Sequence, residues 1–241
     1  MLKFCLTVDC ERFISFKQQN PKWSWFGNLK KDINSMIKNF RYNEKGFELV
    51  YNIVKKQEFP CTFMLVGKLF KPLGKKDFIE WGYHSFNHVP LTLISDEKLE
   101  KEVKNIYDCK SFTAPMWMIE DVKSPERIFN ILKKQGFTHV VYRGQDDGVK
   151  RYGYDFFVKK PEKRYGINCI WLSNCFEGNS SKQHIQEVKK DILNNIDKEG
   201  IYLLSTHDFT HKNSKNLLEI IRFIKKLEKE NKIKSQILSK C

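Results

Sequence analysis

Along the chain, short runs of apolar, β-branched and aromatic residues alternate with longer stretches whose apolar positions recur every three or four residues. The short runs predict strands over Lys3–Val8, Pro60–Val66, Phe78–Tyr83, Ser111–Ala114, His139–Tyr142, Asn168–Leu172 and Ile201–Ser205, with Lys234–Leu238 as an eighth candidate. The longer stretches predict helices near Lys45–Gln57, Asp96–Tyr107, Pro125–Gln135, Lys182–Asp197 and Ser214–Asn231. In the last of these, Leu217, Leu218, Ile221, Ile224 and Leu227 share a face and lysines occupy the other. Asp96 and the Ser124-Pro125 pair are helix-start signals. Alternation of strand and helix throughout predicts a parallel sheet with helices outside. Seven or eight strands in 241 residues fit one domain, residues 1–241, folded as an irregular α/β barrel of mostly parallel strands. A doubly wound open sheet is the alternative. No repeat of solenoid length is present.

Composition narrows the class. Apolar residues at 41% and aromatics at 14% sustain a packed core and exclude a disordered chain. The longest apolar runs, such as Phe63–Val66 and Ile201–Leu204, are strand-sized, far short of the roughly 20 residues of a membrane span. The segment Met1–Asp9 is too short in apolar residues for a signal peptide, so a cytoplasmic location is expected. Seven cysteines (Cys5, Cys10, Cys61, Cys109, Cys169, Cys175, Cys241) lack paired spacing and read as reduced thiols. Lys plus Arg number 43 against 29 Asp plus Glu, a net charge of +14. Such a surface attracts nucleic acid or anionic glycans. The lysines, however, are spread along every predicted helix, the pattern of solvated faces, and nucleic acid is not an expected partner.

Barrels place chemistry at the C-terminal ends of their strands. The first strand ends in Thr7-Val8-Asp9-Cys10-Glu11, with Asp9 and Glu11 on one face. Two neighbouring carboxylates repel unless a cation lies between them or one keeps its proton. They suit a metal ligand beside a base; a capping acid and a surface glutamate are the plainer reading. The third strand runs into His84-Ser85-Phe86-Asn87-His88, whose two histidines share a face if the segment turns helically. That would suit two ligands of one metal, although such a pair also arises by chance. A late strand ends at His207-Asp208, where an imidazole would serve as a general acid or pack as a core histidine.

Taken in order, these segments resemble the polysaccharide deacetylases, the NodB-type carbohydrate esterases. Thr7–Glu11 is similar to that family's first motif, Phe59–Gly67 to its second strand, and Glu80–His88 to its zinc-binding motif. Phe112–Trp117 resembles the third motif and Leu203–Asp208 the last, so the likeness runs from residue 3 to about residue 210. The spaced acids Asp9 and Glu11 resemble an acid-x-acid subgroup that includes peptidoglycan deacetylase-like proteins. Thr113 stands where the third motif usually carries arginine. The fourth motif is not distinct; Asp146, Asp147, Trp171 and Glu177 are its candidates.

The resemblance implies an irregular barrel hydrolase that removes N-acetyl groups from an amino-sugar substrate, an N-acetylated saccharide or glycan precursor. It implies one divalent metal, zinc in the first place, held by Glu11, His84 and His88. Asp9 would be the base, and His207 the acid that protonates the departing amine. Pro115, Trp117 and Trp171 would bind substrate, unless the tryptophans simply pack. The long segment from Arg12 to Lys45 carries Phe13, Phe16, Trp23, Trp25 and Phe26, which would stack on sugar rings or cover the barrel end as core. Two other readings stand beside this one. Relatives on the same fold open cyclic amides, some without metal. The missing arginine and the +14 charge would also suit a catalytically silent glycan- or nucleic-acid-binding module.

Overall fold

The structure is a computed structural model and describes residues 1–11, 45–121, 123–143, 158–213 and 215–241. Seven parallel strands close on themselves: β1 (Leu2–Cys10), β2 (Cys61–Leu65), β3 (Ile79–Tyr83), β4 (Ser111–Thr113), β5 (His139–Tyr142), β7 (Ile167–Cys175) and β8 (Ile201–His207). β8 pairs with β1 from Lys3↔Ile201 to Asp9↔His207, and β1 pairs with β2 from Thr7↔Thr62 to Cys10↔Leu65. The sheet is therefore a closed barrel and not a doubly wound open one. An extra antiparallel strand, β6 (Glu162–Arg164), lies along the start of β7. The last strand, β9 (Ile233–Ser235), pairs with Leu2–Phe4, where β1 has no β2 residue beside it.

Side-chain alternation sorts each strand into an outer and an inner face. Outside, Phe4, Leu6 and Val8 of β1 meet Val50 and Val54 of α1 (Gly46–Gln57), Val188 and Ile192 of α4 (Lys182–Asn194), and Ile220 and Ile224 of α5 (Lys215–Lys229). A second outer core joins Phe112, Val140 and Tyr142 to Leu99 of α2 (Asp96–Glu102) and to Ile128, Phe129 and Leu132 of α3 (Glu126–Lys134). Inside, Cys5, Met64, Val141, Ile170, Leu172 and Leu203 fill the barrel, with Leu238 among them. The segment after β9 is fastened to the barrel floor: Leu238 N donates to Thr62 Oγ1 and Ser239 N to the buried Glu80.

Several boundaries differ from the sequence reading. α2 ends at Glu102 instead of Tyr107, because Asn105 turns the chain through bonds to Cys109 and Gln135, and Asp108 takes a left-handed backbone. α4 ends at Asn194, beyond which Asn195 bonds back to Asp191. β9 stops at Ser235, and Leu238 lies in a 3₁₀ turn rather than in the strand. The charged strand β6 carries no apolar pattern and was not expected.

Candidate active site at the C-terminal rim

The alternation that sends Leu6 and Val8 outward turns Thr7 and Asp9 into the barrel, and Glu11 follows on the same face. Both acids are almost fully buried. After β3 the chain does not turn helically. Ser85 and His88 adopt left-handed backbones instead, with φ of 62° and 60°. Ser85 Oγ accepts from His88 N at 2.9 Å, and Glu102 of α2 accepts from Asn87 N and Nδ2 at 2.8 and 2.6 Å. This clamped bend brings the two imidazoles together by a different route from the one the spacing suggested.

His88 Nε2 lies 2.5 Å from Glu11 Oε2 and 3.1 Å from His84 Nε2, and His84 Nε2 is 3.3 Å from the same carboxylate oxygen. His84 Nδ1 donates to the carbonyl of Thr113 at 2.7 Å, which fixes the tautomer and leaves the Nε2 lone pair facing Glu11. Glu11 N donates to Asp208 Oδ1 at 3.2 Å and so holds the residue at the rim. His207, at the end of β8, donates from Nδ1 to Glu177 Oε1 at 2.6 Å and points Nε2 toward Glu11 Oε1, 3.6 Å away.

Electrostatics reflect this crowding. Burial opposes the charge on Glu11, yet His88, His207 and His84 hold it well below the usual carboxylate range. Burial likewise opposes charge on His84 and His207, and the carboxylates win. Asp9 and Glu11 lift His84, while Glu177, Glu11 and Asp9 lift His207 well above the ordinary imidazole value. Burial raises Asp9, against the pull of His84 and His207. It also raises Asp208 to about 7, against the hydrogen bond from Glu11 N.

The donor set fits a divalent metal. One ligand atom each from Glu11, His84 and His88 lie within 4.8 Å of one another, all three residues are buried, and buried acids beside them favour positive charge. Two imidazole nitrogens and one carboxylate oxygen are the kind of three-residue set that leaves positions open. Asp9 Oδ1 is buried with no hydrogen-bond partner among the described residues, so it is open to a bound group.

A cavity of about 600 Å³ opens beside His207 and Glu177, walled by Trp117, Arg143, Cys175 and His184 among others. Trp117 enters it from a 3₁₀ turn in which Met116 and Trp117 both have φ of 55°. The Arg143 guanidinium lies 4.9 Å from its ring centroid. Pro115 opens that turn and is buried. Trp171 does not reach the cavity. Ile170 and Leu172 on either side face the barrel interior, so Trp171 points outward, edge-on to Tyr142 at 4.7 Å and bonded to Glu162. The substrate role expected of Trp171 therefore draws no support from this cavity. Of the candidates for the fourth motif, Glu177 meets His207; Asp146 and Asp147 lie outside the described residues, as do Phe13, Phe16, Trp23, Trp25 and Phe26. Sequence reading gave no role to Asp208, Arg143 or the Thr113 carbonyl.

No family profile and no curated protein matches the sequence. Among solved structures, a Mycobacterium smegmatis protein described as a polysaccharide deacetylase is similar over 99% of this chain and 88% of its own, with a TM-score of 0.62 and 14% identity. A peptidoglycan N-acetylglucosamine deacetylase is similar over 98% of this chain and 86% of its own, with a TM-score of 0.51 and 11% identity. A branching enzyme of type GH57 from Pyrococcus horikoshii shares the fold as well, at a TM-score of 0.57 and 11% identity over 99% of this chain and 69% of its own. One barrel thus hosts more than one chemistry, and function rests on the site. The chain has the fold of the polysaccharide deacetylases.

Proposed function

We propose that this protein is a metal-dependent hydrolase that removes N-acetyl groups from an amino-sugar substrate. The convergence of Glu11, His84 and His88 on one point at the barrel rim carries the reading. These three residues would hold the ion, with His84 oriented by Thr113. When bound there, a divalent metal such as zinc supplies Lewis-acid polarisation of the amide carbonyl and a more acidic water.

The remaining work falls to side chains. Asp9, buried beside the three ligands with Oδ1 unpartnered, takes the proton from the attacking water. His207 gives a proton from Nε2 to the departing amine, which is otherwise a poor leaving group. Glu177 holds the opposite nitrogen, fixes the imidazole plane and stabilises the imidazolium before transfer. Trp117 and Arg143 wall the approach to His207, where a sugar ring would rest. The products are acetate and a free amine.

The test is acetate release from a panel of N-acetylated saccharides and sugar nucleotides, after chelation and after zinc is restored. Release that depends on zinc and is lost with the His84→Ala, His88→Ala double variant is the expected result. A folded, zinc-loaded protein that releases acetate from no member of the panel would overturn the reading.

A further inference from the structure

The cysteines that sequence spacing left unpaired include two that the fold brings into contact. Cys5 lies on the inner face of β1, fully buried, and Cys241 follows the 3₁₀ turn Leu238–Lys240. Their sulfurs are 2.8 Å apart across 236 residues of chain. A disulfide bond is about 2.05 Å long, so closure requires less than one ångström of approach. Four anchors hold Cys241 in place: Gln236 N on Phe4 O, Leu238 N on Thr62 Oγ1, Ser239 N on Glu80 Oε2, and Cys241 N on Leu238 O.

We propose that Cys5 and Cys241 are an oxidative modification site, at which a hydroperoxide converts the two thiols into one disulfide joining β1 to the segment after β9. Cys241 is the attacking sulfur. It is only partly buried, and its contact with the Cys5 sulfur and the hydrogen bond it accepts from Gln236 Nε2 at 3.1 Å hold it below the ordinary thiol value. Burial pushes Cys5, Cys10, Cys61, Cys109, Cys169 and Cys175 the other way. Thiolate character and access together select Cys241.

The chemistry balances in two steps. The Cys241 thiolate attacks one peroxide oxygen; the O–O bond breaks, giving a sulfenic acid and an alcohol or water once the leaving oxygen takes a proton. The Cys5 sulfur then attacks the Cys241 sulfur, forming the S–S bond and releasing water. The two sulfurs lose two electrons and the peroxide gains them. Cys5 needs no access to the oxidant, because its partner carries the oxidised sulfur to it.

The experiment treats the folded full chain with hydrogen peroxide, then unfolds it, alkylates free thiols and maps the peptides. Five alkylated cysteines out of seven, a peptide joining Cys5 to Cys241, and recovery of all seven after dithiothreitol are expected. The oxidised protein should melt roughly 5 °C or more above the reduced one, as expected for a cross-link closing so long a loop. Cys241→Ser should give no cross-link and no thermal shift, and Cys5→Ala should leave a Cys241 sulfenic acid that dimedone traps. If Cys5→Ala fails to fold, the peptide map and Cys241→Ser decide. Seven alkylatable thiols after treatment, a cross-link between other cysteines, or over-oxidised Cys241 beside a free Cys5 would each overturn the proposal.

Discussion

Asp9 and Glu11 stand two residues apart on one strand exit, yet their surroundings differ. Glu11 faces three imidazoles that hold its charge, whereas Asp9 is dominated by burial and keeps an unpartnered oxygen. Asp9→Asn should therefore retain zinc while losing at least about 100-fold in kcat/KM, the lower range for a general base. Glu11→Gln should lower zinc stoichiometry itself. Metal analysis and kinetics on both variants check this, and the reverse pattern would exchange the two roles. Glu177→Gln should keep zinc and reduce kcat about 10- to 100-fold, as for other outer-shell partners of a catalytic histidine. A kcat within twofold of the parent would mean that Glu177 does not orient His207. Asp9, Glu11, His84 and His88 were legible as polar residues at strand ends, and the fold brings the last three together. Glu177 was one candidate among four, because it lies 30 residues before His207 and meets it only through the pairing of β7 with β8. The service of Thr113 was invisible for another reason: it gives His84 a carbonyl, and every residue type has one.

Elements decide which side of the wall a residue serves. On β7 the period of two places Ile170 and Leu172 inside and Trp171 outside, while the turn after β4 carries Trp117 to the cavity. Trp171→Ala should cost stability, about 2 kcal/mol because the ring is only partly buried, and leave kcat/KM unchanged. Trp117→Ala should lower kcat/KM instead. Urea unfolding and kinetics on both variants separate the two, and equal losses of kcat/KM would refute the division. Strand inventory was readable because barrel strands buried on both faces are short apolar runs, as Phe63–Leu65 and Leu203–Leu204 are. The helix over 96–107 overshot because Val103, Ile106 and Tyr107 continue the apolar spacing, while the bonds of Asn105 and the left-handed Asp108 turn the chain. The bend at His84–His88 was not legible either, since the spacing placed the two histidines on one face only if the segment turned helically. Positive φ at Ser85 and His88 is rare for such residues and leaves no trace in composition.

Across the whole molecule, charge is unevenly distributed. A chain of net +14 gathers Asp9, Glu11, Glu177 and Asp208 around the histidines of one rim. No described helix is long and apolar enough to cross a membrane. Acidification acts on the fold through both features, and His211 provides the clearest handle. It is fully buried, bonded through Nε2 to Thr206 Oγ1 at 2.9 Å, and edge-on to Phe176 at 5.9 Å. Burial depresses it to about 4, with Glu177 pulling upward and His207 downward. The unfolded chain therefore binds a proton at this imidazole below about pH 6.5 while the folded chain does not. The contribution is present in full above that pH, declines as pH falls, and levels off near 4. Two and a half pH units at about 1.4 kcal/mol each amount to roughly 3 kcal/mol. Other acid effects, including repulsion among the excess lysines, act on any variant alike. His211→Gln should thus lose less stability than the parent between pH 7 and pH 4.5, whatever its stability at neutral pH. Urea unfolding of both proteins at pH 7, 6, 5 and 4.5 measures the difference in slope. Parallel curves would show that His211 is not held neutral in the fold.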